Sequence, residues 1–334
     1  MTTAPTMVLA AAFVVAFACV AVMGYAIQRG ATCTVAAVDE WVNRKSWRRL
    51  RSMAEASLWV AGGLLVAHVL HRLPAMPAGY AVTGWTVAGG VLLGLGAWVN
   101  GACVFGAIAR LGSGEWAYAA TPLGYFLGCA TVRALFMPEP PQRLAEPSVL
   151  FAAPEGLAVA FVLFAAWRLL PALRRRDFAA LRGHLWQPHA ATTVIGITFL
   201  FSLLLAGAWA YTDLLADLAR GAAQNLWPRL LLFSALLLGA AWGGYTAGRW
   251  RPAWPAARQW ALCLAGGALM GWGTLLIPGS NDGLILVGMP LLRPYAWLAF
   301  GTMCLSIAAA QLLRRRWPNF SLFHHRGPAG GDAA

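Results

Sequence analysis

Two cysteines stand where the chain interrupts its own hydrophobic pattern, and a thiol in such a place can do chemistry that a charged group cannot. Cys33 lies in the stretch Arg29-Gly30-Ala31-Thr32-Cys33-Thr34, and Cys103 in Asn100-Gly101-Ala102-Cys103. A thiol is polarizable, can stay neutral, and donates a weak S–H hydrogen bond. A soft anion such as thiosulfate, or another sulfur oxyanion, suits such donors. Free backbone N–H groups and helix N-termini at the breaks would add an anion-favouring field. Arginine charges in a path would hold an anion too tightly, because conduction requires release as well as capture. The bland alternative is that both cysteines pack as small hydrophobes, and the spacing alone leaves the two readings open.

A third break, Pro278-Gly279-Ser280-Asn281-Asp282-Gly283, has a hydroxyl, an amide and a carboxylate in place of a thiol. An ionisable group inside such a turn is a functional candidate. Asp282 would equally serve as the acceptor of an Asx-turn.

The elements that must position these breaks are membrane helices. The chain has 334 residues, 60% hydrophobic and only 11% charged, a balance that excludes a soluble domain and fits a polytopic membrane protein. The formal charge of +13 does not point to nucleic acid, since the basic residues fall in short clusters that flank apolar runs. Tryptophan is abundant near run ends, where its ring suits the headgroup level. The first run, about Met7–Ile27, reads as a retained span, because no small-residue cleavage site follows it. A window of about 20 apolar residues gives spans near 6–28, 52–71, 80–99, 115–136, 149–170, 190–211, 229–248, 259–277 and 294–313. Arginine clusters follow the first, fifth, seventh and ninth runs. The positive-inside rule therefore predicts an N-terminus outside, a cytoplasmic C-terminus and an inner (cytoplasmic) membrane location. Arg133 and Arg168 lie near span ends and are expected to snorkel.

Residues 88–96 read AGGVLLGLG and residues 265–273 read AGGALMGWG. Each phrase closes an apolar run and is followed at once by a polar turn. The first lies on the third span and the second on the eighth, which run in opposite directions, so the pair predicts an inverted-topology repeat. Asn100-Gly101 and Pro278-Gly279 are turn dipeptides. The apolar stretches after them, 104–111 and 284–292, are too short to span and suit re-entrant helices buried in protein or lining a cavity. Val35, Ala36 and Val38 could dip another short helix inward, while Asp39 and Glu40 are expected to neutralise nearby arginines. The expected fold class is thus an all-α polytopic membrane protein with about nine transmembrane helices, an inverted-topology repeat and short re-entrant helices. Its parts are a first transmembrane repeat over 1–148, a linking fifth span and basic loop over 149–189, a second repeat over 190–313, and a disordered basic tail over 314–334.

The sequence offers no cofactor motif and no metal site. There is no CxxC among the six cysteines, and His68 and His71 have no further ligand nearby. No Walker motif is visible. Arg110 reads as an inner-side anchor, with lipid phosphate or the cytoplasmic exit as its alternative.

At GATCTVAAVDE (30–40), AGGVLLGLGAWVNGACVFGAIARLGSG (88–114) and AGGALMGWGTLLIPGSNDGLILVG (265–288) the chain resembles the YeeE/YedE family of sulfur transporters, which includes thiosulfate uptake proteins. The resemblance spans about 6–313. It implies a bundle of about nine spans with internal pseudo-symmetry, and passage of thiosulfate past central cysteines through transient thiol hydrogen bonds. The family's Asn-Gly-x-Cys pattern falls on Asn100, Gly101 and Cys103, and its Gly-x-x-Cys pattern on Gly30 and Cys33, with Thr34 next to it. The second-half turn, which in the family usually carries a cysteine, has Ser280, Asn281 and Asp282 instead. The resemblance implies an importer and not an enzyme, whose partners are a small sulfur-containing anion, the lipid bilayer and a candidate cytoplasmic sulfur-carrier protein. Two other classes stay open: a membrane-embedded thiol oxidoreductase or sulfurtransferase using Cys33 and Cys103, and a structural subunit with packed cysteines.

Overall fold

In hydrocarbon a backbone must satisfy its own hydrogen bonds, so the apolar runs become helices. A computed structural model describes residues 3–138, 141–175 and 183–316. In chain order the helices are α1 (Thr3–Arg29), α2 (Thr34–Arg44), α3 (Arg48–Val69), α4 (Gly84–Asn100), α5 (Val104–Leu111), α6 (Ala120–Phe136) and α7 (Gly156–Arg175). There follow α8 (Pro188–Ala206), α9 (Tyr211–Ala219), α10 (Leu226–Thr246), α11 (Ala257–Leu276), α12 (Asn281–Gly288) and α13 (Pro294–Arg316). The last five residues of α12 are wound as a π-helix. Among the described residues the sheet content is one antiparallel pair, Gly79–Tyr80 with Arg143–Leu144.

The protein is an all-α polytopic membrane protein. Among the described residues six helical stretches are long and apolar enough to cross a membrane, and a seventh qualifies if the pair α11 and α12, bent by 51°, is one span. The expected fourth and fifth spans come out shorter. A 3-10 turn at Trp116–Ala119 takes up the start of the fourth run before α6. The fifth is divided at Ala153–Glu155, around Pro154, between a 3-10 turn at Val149–Ala152 and α7. Arg314, Arg315 and Arg316, expected as the start of a disordered tail, complete the last turn of α13 instead. Residues 317–334, and with them the rest of that tail, lie outside the described residues, as do residues 176–182 of the basic loop.

The repeated glycines explain how the centre packs. Gly89 lies against Gly273 and Gly96 against Gly266, so α4 and α11 cross antiparallel with backbones in contact. A Cβ on Gly96 would sit 2.7 Å from the Gly266 carbonyl oxygen, and one on Gly273 would sit 2.6 Å from that of Gly89. Small residues are what permit such an approach between helices. The two other glycines of each phrase face outward from this crossing. Gly90 and Gly94 receive Thr302 and Ser306 of α13, and Gly267 and Gly271 receive the backbone of α6 at Thr121 and Tyr125. Around this centre α1 packs on α8 and α10, and α3 packs on α8.

Candidate functional site at the short helices

Four short helices, α2, α5, α9 and α12, each begin a few residues after a long helix ends, and their starts converge in the interior. At the α4–α5 elbow Gly101 takes φ +73, a left-handed conformation that glycine adopts without a Cβ clash. Cys33 is the N-cap of α2 and Cys103 the N-cap of α5, both with extended backbone.

The two cysteines, 70 positions apart, meet. The backbone N–H of Cys103 donates to Cys33 Sγ at 3.5 Å, and the N–H of Thr34 donates to Cys103 Sγ at 3.2 Å. Both thiols are free and buried. Gly106, one turn into α5, makes the meeting possible, because a Cβ there would lie 2.6 Å from Cys33 Sγ. From the opposite side Asn281 of α12 donates its amide to Thr34 Oγ1 at 3.3 Å, while its own Oδ1 is buried without a partner among the described residues.

The other expected site residues divide into two groups. Asn100, Gly101 and Gly30 shape the elbows and make no contact with the sulfurs that these bonds record. Asn100 donates to the Ala102 carbonyl at 2.6 Å and accepts from Thr121 at 2.9 Å, which holds the turn closed. Gly30 lies under α8, where a Cβ would meet that of Ala191 at 2.3 Å. Ser280 and Asp282 form a separate polar group with Thr212 of α9. Thr212 Oγ1 lies 2.7 Å from Ser280 Oγ and 3.0 and 3.1 Å from the two Asp282 carboxylate oxygens. The Gly283 N–H donates to Asp282 Oδ1 at 3.0 Å.

A cavity of about 1480 Å³ reaches in from the side on which α1 begins and α11 ends. Arg133, Arg143, Arg220, Arg229, Asp213 and Asp217 line it, and the turn Pro278–Gly279 with Gly283 and Trp209 belongs to its inner wall. Arg133 therefore faces this space, whereas Arg168 lies 3.8 Å from Glu55. Cys129 also lines the cavity, with its thiol 3.6 Å from the Gly271 carbonyl oxygen. A second, much smaller cavity of about 20 Å³ lies among Phe105, Trp209, Ala210, Tyr211 and Asp282. Trp209 lines both spaces and is buried, with its indole N–H lacking a partner among the described residues. Tyr211 closes the inner side by donating to the Val104 carbonyl at 3.0 Å.

At the far end of the short helices Arg110 lies 3.1 Å from Glu115 and over the ring of Tyr118, so its charge has a partner within the protein. Glu40 pairs with Arg49 at 3.0 Å, and Asp39 accepts from Asn43. Glu40 thus neutralises an arginine as expected, whereas Asp39 forms no ion pair among the described residues and bonds one turn along its own helix.

The sequence reading overlooked α9, and with it Trp209, Tyr211 and Thr212. A signal was present. Gly30-Ala31 and Gly207-Ala208 open the two stretches, Cys33 matches Ala210, and Thr34 matches Tyr211. Each pair is 177 residues apart, the separation that also relates Gly89 to Gly266 and Cys103 to Ser280.

A bundle of membrane helices whose interior holds short helices, polar elbows and a deep cavity is the architecture of a membrane transporter. A family model described as sulphur transport matches residues 29–309, which takes in every break discussed above. The chain belongs to this sulphur transport family, the YeeE/YedE family. None of the curated proteins matches it in sequence.

Proposed function

We propose that this protein imports thiosulfate or a closely related sulfur oxyanion into the cytoplasm, across the inner membrane, past the thiols of Cys33 and Cys103. The observation that carries the reading is their juxtaposition: two cysteine sulfurs, from helices far apart in sequence, accept backbone N–H bonds from each other's helix starts at the N-termini of α2 and α5. Helix starts offer unpaired N–H groups and a positive dipole end to an anion. Thiols add weak, soft donors that release as readily as they bind.

The halves act as inverted repeats, with α1 to α6 matched by α8 to α13, and 1–148 and 190–313 joined through 149–189. The constant 177-residue separation supports this, as do the antiparallel crossing of α4 and α11 and the matched surroundings of their glycines. With the N-terminus outside, the large cavity is the extracytoplasmic vestibule, and Arg133 and Arg143 on its wall gather anions. The anion moves past Trp209, whose free indole N–H is a neutral donor, and reaches the thiols. Cys103 is wholly buried, so passage requires the elbows that start α2 and α5 to part. Arg110 marks the cytoplasmic exit, and a cytoplasmic sulfur carrier is the natural acceptor.

The test is growth on thiosulfate as sole sulfur source, in a strain without other thiosulfate or sulfate uptake. The wild-type chain restores growth, while Cys33→Ala and Cys103→Ala at equal expression do not. Rescue by both variants would favour the structural reading of the cysteines. The adjacency of the thiols also favours a second reading, thiol–disulfide or sulfur-transfer chemistry. A persulfide or mixed disulfide trapped on Cys33 or Cys103 during turnover would support that one instead.

A further inference from the structure

Asp282 is a buried carboxyl group, among the described residues, whose place in the interior the reading above leaves unexplained. It is 5% exposed, and among the described residues no cation forms an ion pair with it. A carboxylate taken out of water without a counter-charge needs a proton or a bound cation to offset it. The groups bonded to it carry no charge. Among the described residues its oxygens meet the Thr212 hydroxyl, the Gly283 N–H and its own backbone N–H, and Ser280 supports Thr212 from behind. That set is too small for a metal cage, since hard cations take six or more oxygens. The adjoining cavity of about 20 Å³ is otherwise walled by side chains such as Phe105, Leu236 and Val287, and has room for about one water molecule. The buried, unpartnered indole N–H of Trp209 belongs to the same wall, so a molecule there would find a donor and an acceptor.

We infer that Asp282 is a proton-carrying site that couples anion import to the proton gradient. The inference rests on the transporter reading above. An anion entering a negative-inside cell moves against the membrane potential, and each proton carried with it removes one unit of that opposing charge. Asp282 borders the small cavity that shares Trp209 with the vestibule, and Tyr211 on the same wall reaches the start of α5 beside Cys103. Ionised, it repels the anion; protonated, it becomes a donor to it. The anion therefore passes only while the proton is bound, and the proton leaves to the cytoplasm after the anion has been released. Asp213, on α9 next to Thr212, lines the vestibule and forms no ion pair among the described residues, which makes it the relay from outside water. The other titratable and charged groups toward Asp282 are Tyr211 of α9, Tyr125 and Arg133 of α6, Asp217 and Arg220 of α9, Arg229 of α10, Tyr295 of α13 and, beyond Tyr211, Cys103. Of these, Asp217 holds Arg220 and Arg229 at 2.6 and 2.8 Å, which keeps both cations occupied away from Asp282.

The experiment uses purified full-length protein in sealed vesicles, radiolabelled thiosulfate, and a pH-sensitive dye. Wild type is expected to accumulate thiosulfate about tenfold more with an inward proton gradient than without one, and to alkalinise the outer medium as it does so. In Asp282→Asn the remaining flux loses its pH dependence and its accompanying proton movement, with Asp282→Glu restoring both in part. Size-exclusion profiles check that the variants fold. Net thiosulfate uptake by wild type without accompanying proton movement, or accumulation driven by sodium alone, overturns this inference and leaves the transporter reading standing. Absence of any sulfur-anion exchange by wild type defeats both.

Discussion

The elbow before α5 and the elbow before α12 occupy matching places, 177 residues apart, and differ in chemistry. In the first, Cys103 caps the short helix, and its sulfur is bonded to the start of α2. In the second, Ser280 caps the short helix, and the start of α9 is reached through Thr212 and Asp282. The backbone frame is shared: each elbow ends a glycine-rich helix and meets a second short helix. The chemistry differs: a thiol on one side, a hydroxyl and a carboxylate on the other. On the function proposed above, the first elbow contacts the substrate and the second couples its passage to the proton.

The largest expected effect comes from attacking the shared frame. Gly96→Leu forces a side chain into the α4–α11 crossing, where a Cβ alone would lie 2.7 Å from a carbonyl oxygen. Overpacking of this kind costs about 1–3 kcal/mol or more, and the monodisperse fraction in detergent should fall steeply. Gly301→Ala on α13 meets nothing within 4 Å and should leave it unchanged. Equal behaviour of the two would mean that the crossing does not hold the halves together.

A smaller effect is expected where the vestibule meets the interior. Trp209→Phe keeps the ring and removes the free N–H, and loss of one donor to an anion should slow uptake about fivefold to tenfold. An unaltered initial rate of uptake would remove Trp209 from the path. Ser280→Cys makes the second elbow resemble the first. The longer C–S bond and weaker donor disturb the contact to Thr212, and uptake should slow by about threefold. A rate above wild type would show that the two elbows are chemically interchangeable. The smallest effect belongs to the surface pair. Glu40→Gln breaks a partly exposed bridge to Arg49 and should change stability by less than about 1 kcal/mol, read as a small shift in melting temperature.

Much of this arrangement was legible in the sequence because its signals are categorical. A glycine phrase that strips side chains from a helix face, followed by a polar turn, has few uses in lipid other than a close crossing and a break. The two cysteines stood out because they occupy such breaks. The second half was less legible. Residues 190–211 read as one continuous apolar run, so the end of α8 at Ala206 and the start of α9 at Tyr211 were hidden inside it. Asp213 and Asp217 lie on this short helix and line a cavity, which the polarity of the stretch alone does not reveal. Hydropathy reports how apolar a segment is and not which way its backbone turns. Only comparison at the fixed separation of 177 residues exposes Gly207 as the partner of Gly30.

The most direct measurement is the initial rate of radiolabelled thiosulfate uptake into vesicles holding the purified protein, compared among wild type, Cys33→Ala, Cys103→Ala and the double variant. Removing a donor to an anion at the narrowest point should lower the rate about tenfold to a hundredfold in each single variant, with little further loss in the double. Uptake by the double variant at the wild-type rate would contradict the account, because the anion would then be crossing by a route that the two thiols do not touch.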